Sequence, residues 1–242
     1  MSDPVPAGGP GLSAAPRPDA SSRSQTLSRG IRTLEVLADA ARPLTIAEIA
    51  TALGVHRSIA YRILRTLEDH GLVVRDSGGA VALGPRMAAL ARGVARGLQS
   101  AALPELTAVA NELGMTAFVT VLDHDEVVTL VSVEPRHAAA AVARRPGTRH
   151  PLALGAPGIA IQALLDGTGG APLRPEVADV HDRGYAHSQG EVIPGLSSVA
   201  VPLDVPDQRA SLAVVYVAGG EDVAAIGARL GSAARAIAAE LR

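Results

Sequence analysis

The stretch "TIAEIATALGVHRSIAYRILRTLEDHGLV", Thr45–Val73, constrains the fold of this chain more than any other part of it. Ile46, Ile49, Ala50 and Leu53 fall at the i, i+3, i+4, i+7 spacing of one helix face, and after Gly54 a second stripe runs through Ile59, Ile63, Leu64 and Leu67. Thr45 and Glu48 form a T-x-x-E capping box, in which each side chain satisfies a free backbone N–H of the other, so a helix start is marked. Gly71 stands where a left-handed residue ends the second helix. Two short helices joined through a glycine turn are a helix-turn-helix candidate. Ala50 and Ala60 are small where the two helices must cross.

The flanking residues extend this reading. A helix is predicted from about Gln25 to Ala40, with Ile31, Leu34 and Leu37–Ala38 on one face and Pro43 as its stop. After the second helix, "LVVRDSGGAVAL" pairs two β-branched runs, Leu72–Arg75 and Ala80–Leu83, across a glycine-containing turn. Helix, helix, helix, hairpin is the winged-helix order. Arg57, Ser58, Tyr61, Arg62 and Arg65 lie away from the apolar stripe of the second helix. A guanidinium fork grips a guanine edge or a phosphate, and hydroxyls hold phosphates, so this face points to DNA. The bland alternative is a solvated face, with Glu68 and Asp69 neutralising part of it.

Charge supports the first alternative by its distribution. The formal net charge is only −2, but residues 1–100 carry 12 Arg against 8 acids, while residues 101–242 carry 10 Arg against 16. That asymmetry suggests a nucleic-acid-facing N-terminal part attached to an acidic domain with another task. Hydrophobic residues make up 48% of the 242, yet four are aromatic, so the core must be aliphatic. There is no cysteine, hence no disulfide and no thiolate metal site. Residues 1–24, rich in Pro, Gly, Ala and Ser, read as a disordered tail without the features of a signal peptide. No uncharged run reaches membrane-spanning length. The expectation is a soluble, cytoplasmic protein without a membrane partner.

Beyond Pro85 a linking helix is expected to about Gln99, and Pro104 is expected to start another that ends near Gly114. The grammar then changes. "TAFVTVLDHDEVVTLVSVE" reads as two strands around a His124-Asp125 turn, and a third strand is expected before Pro146-Gly147. A short helix from about Pro157 to Leu165, two strands around Val205–Gln208 and a helix from about Asp222 to Leu241 complete an α+β chain.

These residues resemble the isocitrate-lyase-regulator (IclR) type of bacterial transcription factors. The likeness lies in "SRGIRTLEVL" (Ser28–Leu37), Leu44–Val73, "LGPRMAALA" (Leu83–Ala91), "RPGTRHPLALGAPGIAIQA" (Arg145–Ala163), "RGYAHSQGEVIPGLSSVAVPL" (Arg183–Leu203) and "SLAVVYVAG". It implies a winged helix-turn-helix domain at 25–84, a linker helix at 85–103, and a GAF-like α/β effector-binding domain at 104–242. It also implies a homodimer or tetramer on palindromic double-stranded DNA. Arg57, Arg62, Ser58 and Tyr61 would read bases; Ser28, Thr45 and Arg75 would hold phosphates; Arg65 would serve either role or be solvated.

The same resemblance places an effector site at Ala156, Pro157, Ser188, Ser198, Val215 and Val217. Pro157 lacks an N–H, the two valines lack the hydroxyls that family members carry there, and no Arg falls at these positions. A buried carboxylate would go unpaired. The sequence therefore predicts a mostly apolar effector held by Ser188 and Ser198, or none. The segment between Leu165 and Arg183 also looks trimmed for the family. No catalytic or metal constellation is visible: Ser197-Ser198 lacks a nucleophile elbow, "GTGG" and "GAPG" lack a phosphate-loop context, and no cofactor is implied. The reading from another class is a small-molecule-binding or enzymatic protein that uses its helix-turn-helix for protein contacts only.

Overall fold

The computed structural model describes residues 24–137, 142–165, 174–206 and 208–242, in two compact units that divide between Val94 and Ala95. The expected tail, the "GTGG" segment and part of the stretch that looked trimmed lie outside the described residues.

In the first unit, α1 (Gln25–Asp39) is capped by Ser24, whose side chain accepts from the Leu27 N–H. Helix α2 (Ile46–Leu53) carries the capping box in full: the Thr45 hydroxyl accepts from the Glu48 N–H at 3.3 Å, and the Glu48 carboxylate accepts from the Thr45 N–H at 2.8 Å. Gly54 closes it with φ 64°, a left-handed conformation that costs a residue with a Cβ about 1–2 kcal/mol. Helix α3 (Arg57–Asp69) then packs Ile63 and Leu64 inward, with Ala60 fully buried where the helices cross. Strands β1 (Val73–Arg75) and β2 (Val81–Leu83) form an antiparallel hairpin, its turn held by Asp76, whose Oδ1 accepts from the Ala80 N–H at 2.8 Å. Leu44 adds a bridge to Val81 on the other edge of β2, a third segment of the small sheet that periodicity did not reveal. Leu37, Ile49, Leu64, Val73 and Val81 make the core, each contributing about 1.5–3 kcal/mol by burial. Helix α4 (Arg86–Ala91) ends this unit.

The second unit begins with α5 (Arg96–Leu113), which runs unbroken through Pro104. The expected helix start at Pro104 is thus corrected. A mid-helix proline costs about 3 kcal/mol, but Leu98, Ala101, Ala102, Leu106, Val109 and Ala110 are buried on both sides of it, and their packing outweighs that cost. Strands β3 (Thr116–Asp123) and β4 (Glu126–Val133) turn at His124, whose φ is 58°. Strand β5 (Arg149–Pro151) follows Pro146-Gly147 and is set by pairing with Glu126–Val128, a contact that local pattern cannot supply; the segment before Pro146, where a strand was expected, lies partly outside the described residues. Helix α6 (Gly155–Gln162) follows, then α7 (Glu176–Arg183) and β6 (Ala186–Gln189), neither of which the sequence reading anticipated. Strands β7 (Leu196–Val205) and β8 (Gln208–Val217) and helix α8 (Val223–Glu240) complete the chain.

All pairings in the six-stranded sheet, ordered β5-β4-β3-β8-β7-β6, are antiparallel. Alternation along the strands sends Val119, Val199, Val201 and Leu212 to one face, against Leu106 of α5 and Leu230 and Ile237 of α8. Phe118, Ala200, Ala213 and Val215 point to the other, against Ile159 of α6 and Val177 and Val180 of α7. The second face is the smaller core, and it holds a cavity.

Candidate nucleic-acid interface and ligand cavity

On α3 the residues Arg57, Ser58, Tyr61, Arg62 and Arg65 are all exposed, with Tyr61 at 47%. The helix turns Ile63 and Leu64 inward, and that burial is what aims the guanidinium row outward. No side-chain carboxylate pairs with Arg57, Arg62 or Arg65 among the described residues, so their forks are available to an outside acceptor. His56, which sequence reasoning passed over, is the N-cap of α3. Its Nδ1 accepts from the Ser58 N–H and lies 2.9 Å from Ser58 Oγ, so the Ser58 hydroxyl is held at the helix start. The signal for it was weak, because His is not a preferred N-cap residue.

The proposed phosphate contacts are placed unevenly. Ser28 is exposed on α1. Thr45 is exposed, but its hydroxyl is engaged in the α2 cap, accepting from Glu48 N–H and donating to Glu48 Oε2 at 2.8 Å. Arg75 on β1 pairs with Glu68 of α3 at 3.4 Å and must exchange that partner to meet a phosphate. Arg62 borders a groove of about 590 Å³ between α1 and α3, floored by Ile59, Ile63 and Leu67.

In the second unit a cavity of about 30 Å³ lies under the N-terminal end of α6. Pro157, Ser188, Ser198 and Val215 line it. Ala156 sits behind the wall, its N–H donating to Ser188 Oγ at 2.8 Å. Val217 does not belong: it is 58% exposed. It shares the face of Ala213 and Val215, but that end of β8 runs past the cover that buries the other two. Ser198 Oγ donates to the Val214 carbonyl at 2.8 Å and keeps its lone pairs.

Arg144 and His150 are among the lining residues that sequence reasoning missed. Arg144 is 8% exposed; its Nε donates to Thr129 Oγ1 at 2.9 Å, its guanidinium carbon stands 5.0 Å from the Phe118 ring centroid, and its Nη2 has no partner among the described residues. His150 of β5 is 5% exposed, with Nδ1 3.1 Å from the Pro151 carbonyl oxygen and Nε2 unpartnered. Burial first, and then the positive charge of Arg144, hold the His150 pKa below its ordinary value. None of the positions named from the sequence carries an Arg, but Arg144 lines the same cavity. Arg144 comes from a loop with no motif of its own, and only the tertiary fold brings it under α6.

The carboxylate nearest to hand is already used. Glu191 accepts from the Gly155 N–H at 2.9 Å and pairs with Arg174 through both oxygens, at 2.5 and 3.2 Å. Arg174, first among the causes, holds the Glu191 carboxyl below its usual pKa. No group of His, Cys, Asp and Glu suited to a metal ion occurs among the described residues, and none of their helices is long and apolar enough to cross a membrane.

A helix-turn-helix with a wing, presenting an unpaired Arg face and joined to a separate α/β unit, defines a DNA-binding transcriptional regulator. Comparison with known proteins supports that class. Residues 26–77 match the family model of the IclR helix-turn-helix domain. The HTH-type transcriptional regulator Rv1719 of Mycobacterium tuberculosis is 30% identical over 230 residues, covering 82% of this chain and 88% of that protein. An IclR transcriptional regulator from Alicyclobacillus acidocaldarius superposes with a TM-score of 0.77 at 28% identity, over 91% of this chain and all (100%) of the other. An IclR homolog from Microbacterium hydrocarbonoxydans, crystallised with 4-hydroxybenzoate, shares the fold with a TM-score of 0.79 at 24% identity, over 90% and 99% of the two chains. The chain belongs to the IclR family of transcriptional regulators.

Proposed function

We propose that this regulator binds a palindromic double-stranded operator as a homodimer or a dimer of dimers, and that a small molecule held under α6 modulates the binding. Helix α3 enters the major groove, where Arg57 and Arg62, with Ser58 and Tyr61, meet base edges. Arg65, Ser28 and Arg75 meet phosphates, and Thr45 orders the helix beneath them through its cap. The observation that carries this reading is the exposed Arg row of α3, which has no carboxylate partner among the described residues, beside the wing. The protein acts by binding, in the cytoplasm, with neither a cofactor nor a membrane partner. The homolog that holds 4-hydroxybenzoate supports a ligand-binding role for the second unit.

Selection of bound fragments from the host genome, followed by gel shifts at two salt concentrations, tests the reading. A recurrent palindrome retained at the higher salt is expected. Equal affinity for all fragments, vanishing with salt, refutes it.

A further inference from the structure

The opposite face of the six-stranded sheet carries a second hollow. A cleft of about 340 Å³ opens where β8 ends and α8 begins, on the side of Val199 and Val214 and so across the sheet from the cavity under α6. The register sets Gln189 of β6, Ser197 of β7 and Tyr216 of β8 side by side in one row of that face. His187, two residues before Gln189, stands on the same face in the next row. Glu221 and residues 218–220 also line the cleft.

This row is polar and without internal partners. Tyr216 is 7% exposed and Ser197 2%, yet neither hydroxyl has a hydrogen-bond partner among the described residues. Neither is sealed from solvent either, in contrast to Thr116 Oγ1 of the same sheet. The His187 ring and the Gln189 amide lack partners in the same way. Burial first, and then Glu221, raises the Tyr216 pKa, so the phenol keeps its proton. Burial first, and then Arg183, lowers the His187 pKa, which favours a neutral ring. Phenol, serine hydroxyl, neutral imidazole and amide can each donate and accept. Glu221 Oε2 accepts from the Gly219 N–H at 2.9 Å, and its Oε1 has no donor among the described residues. No Arg is among the described residues that line the cleft.

That set discriminates between ligand classes. An anion would meet Glu221 with no guanidinium to offset it. An ammonium only donates, and would leave the phenol and serine hydrogens unused; an apolar molecule would satisfy none of these groups. A sugar hydroxyl donates and accepts, as they do. Adjacent strands stand about 4.8 Å apart, so the row spans about 10 Å, room for one sugar ring with a hydrogen bond at each end. We propose that this cleft binds a neutral monosaccharide, its ring hydroxyls on Tyr216 Oη, Ser197 Oγ and His187, with one donating to Glu221. The volume lies near the lower end of the roughly 300–1,000 Å³ of small-molecule sites, as a single sugar requires.

Calorimetric titration of the full chain with D-glucose, D-galactose, D-xylose and L-arabinose tests this, with glucuronate, galacturonate, glucosamine and galactosamine as charged counterparts. One neutral sugar is expected to bind at least about tenfold tighter than any of the uronates and amino sugars. Tyr216→Phe and His187→Leu each remove a group of this cleft and should weaken that sugar roughly threefold to tenfold. Glu221→Gln keeps an acceptor for the Gly219 N–H but drops the charge, and should narrow the gap between sugar and uronate. Binding of no neutral sugar in the millimolar range, or of a uronate or amino sugar as tightly, overturns the proposal. Undiminished affinity in both Tyr216→Phe and His187→Leu also overturns it, since the sugar would then sit elsewhere. Should Tyr216→Phe fail to fold, His187→Leu decides the placement alone.

Discussion

Replacing Arg65 by Ala separates charge contact from base reading on α3. Arg65 is exposed and pairs with no carboxylate among the described residues, so no internal ion pair must break before it meets a phosphate. Each neutralised phosphate contributes about −0.9 to the slope of log K against log salt, and a dimer carries two copies, so Arg65→Ala should flatten the slope by about 1.8. Between 50 and 200 mM salt, a fourfold rise, that changes the wild-type-to-variant affinity ratio by roughly twelvefold, with the variant suffering most at low salt. Arg62→Ala behaves differently: it should cost about 1–3 kcal/mol per contact on the operator, little on shuffled DNA, and leave the slope nearly unchanged. Arg75→Ala should flatten the slope less than Arg65→Ala, because Arg75 already pairs with Glu68 at 3.4 Å. Fluorescence anisotropy with operator and shuffled duplexes across a salt series reads all three. An unchanged slope in Arg65→Ala, or equal losses of Arg62→Ala on both duplexes, refutes the division of labour.

Three further outcomes are expected. Leu64→Ala removes a fully buried side chain from the core of the first unit and should cost about 2–5 kcal/mol, against a stability of roughly 3–10 kcal/mol for about 70 residues, so urea titration should show DNA binding lost at a much lower midpoint. A Cβ at Gly158 would stand 2.2 Å from the Leu152 carbonyl oxygen, so Gly158→Ala must push α6 off that loop; a lower melting temperature of the second unit is expected, and an unchanged one would contradict the close approach. Glu48, hydrogen-bonded by Arg42 and then by Thr45, has its pKa lowered to about 2 from an ordinary 4.5. A depressed carboxyl stabilises above its unfolded pKa and loses that contribution as pH falls through its folded one, so Glu48→Gln should melt below the wild type at neutral pH, with the gap closing between pH 4.5 and 2.

The legible parts of this protein are those whose causes are local. Thr45 and Glu48 lie three residues apart and close their box within one helical turn. Gly54 is required by its own backbone angle, and the Ile59–Ile63–Leu67 stripe follows from helical period alone. These interactions form wherever the chain goes, so the winged-helix order and the Arg row could be read without coordinates. The strands around His124 and Val205–Gln208 were legible for the same reason, since alternation and turn residues are neighbours in the chain.

The cavity was settled by neighbours distant in sequence. Arg144 faces it because β4 carries Thr129 beneath its Nε and β3 carries Phe118 beneath its plane. His150 turns inward because β5 pairs with Glu126–Val128, and Val217 escapes because its end of β8 lies past the buried part of that face. The helix through Pro104 persists because packing on both sides outweighs a local penalty. Sequence by itself determined that the chain would present arginines on a recognition helix, since helical period places them. Tertiary structure alone decided that the second unit would bury Arg144, without a carboxylate partner among the described residues, near a histidine whose pKa burial lowers, since the balance of charge around a cavity is a sum over side chains that only folding brings together.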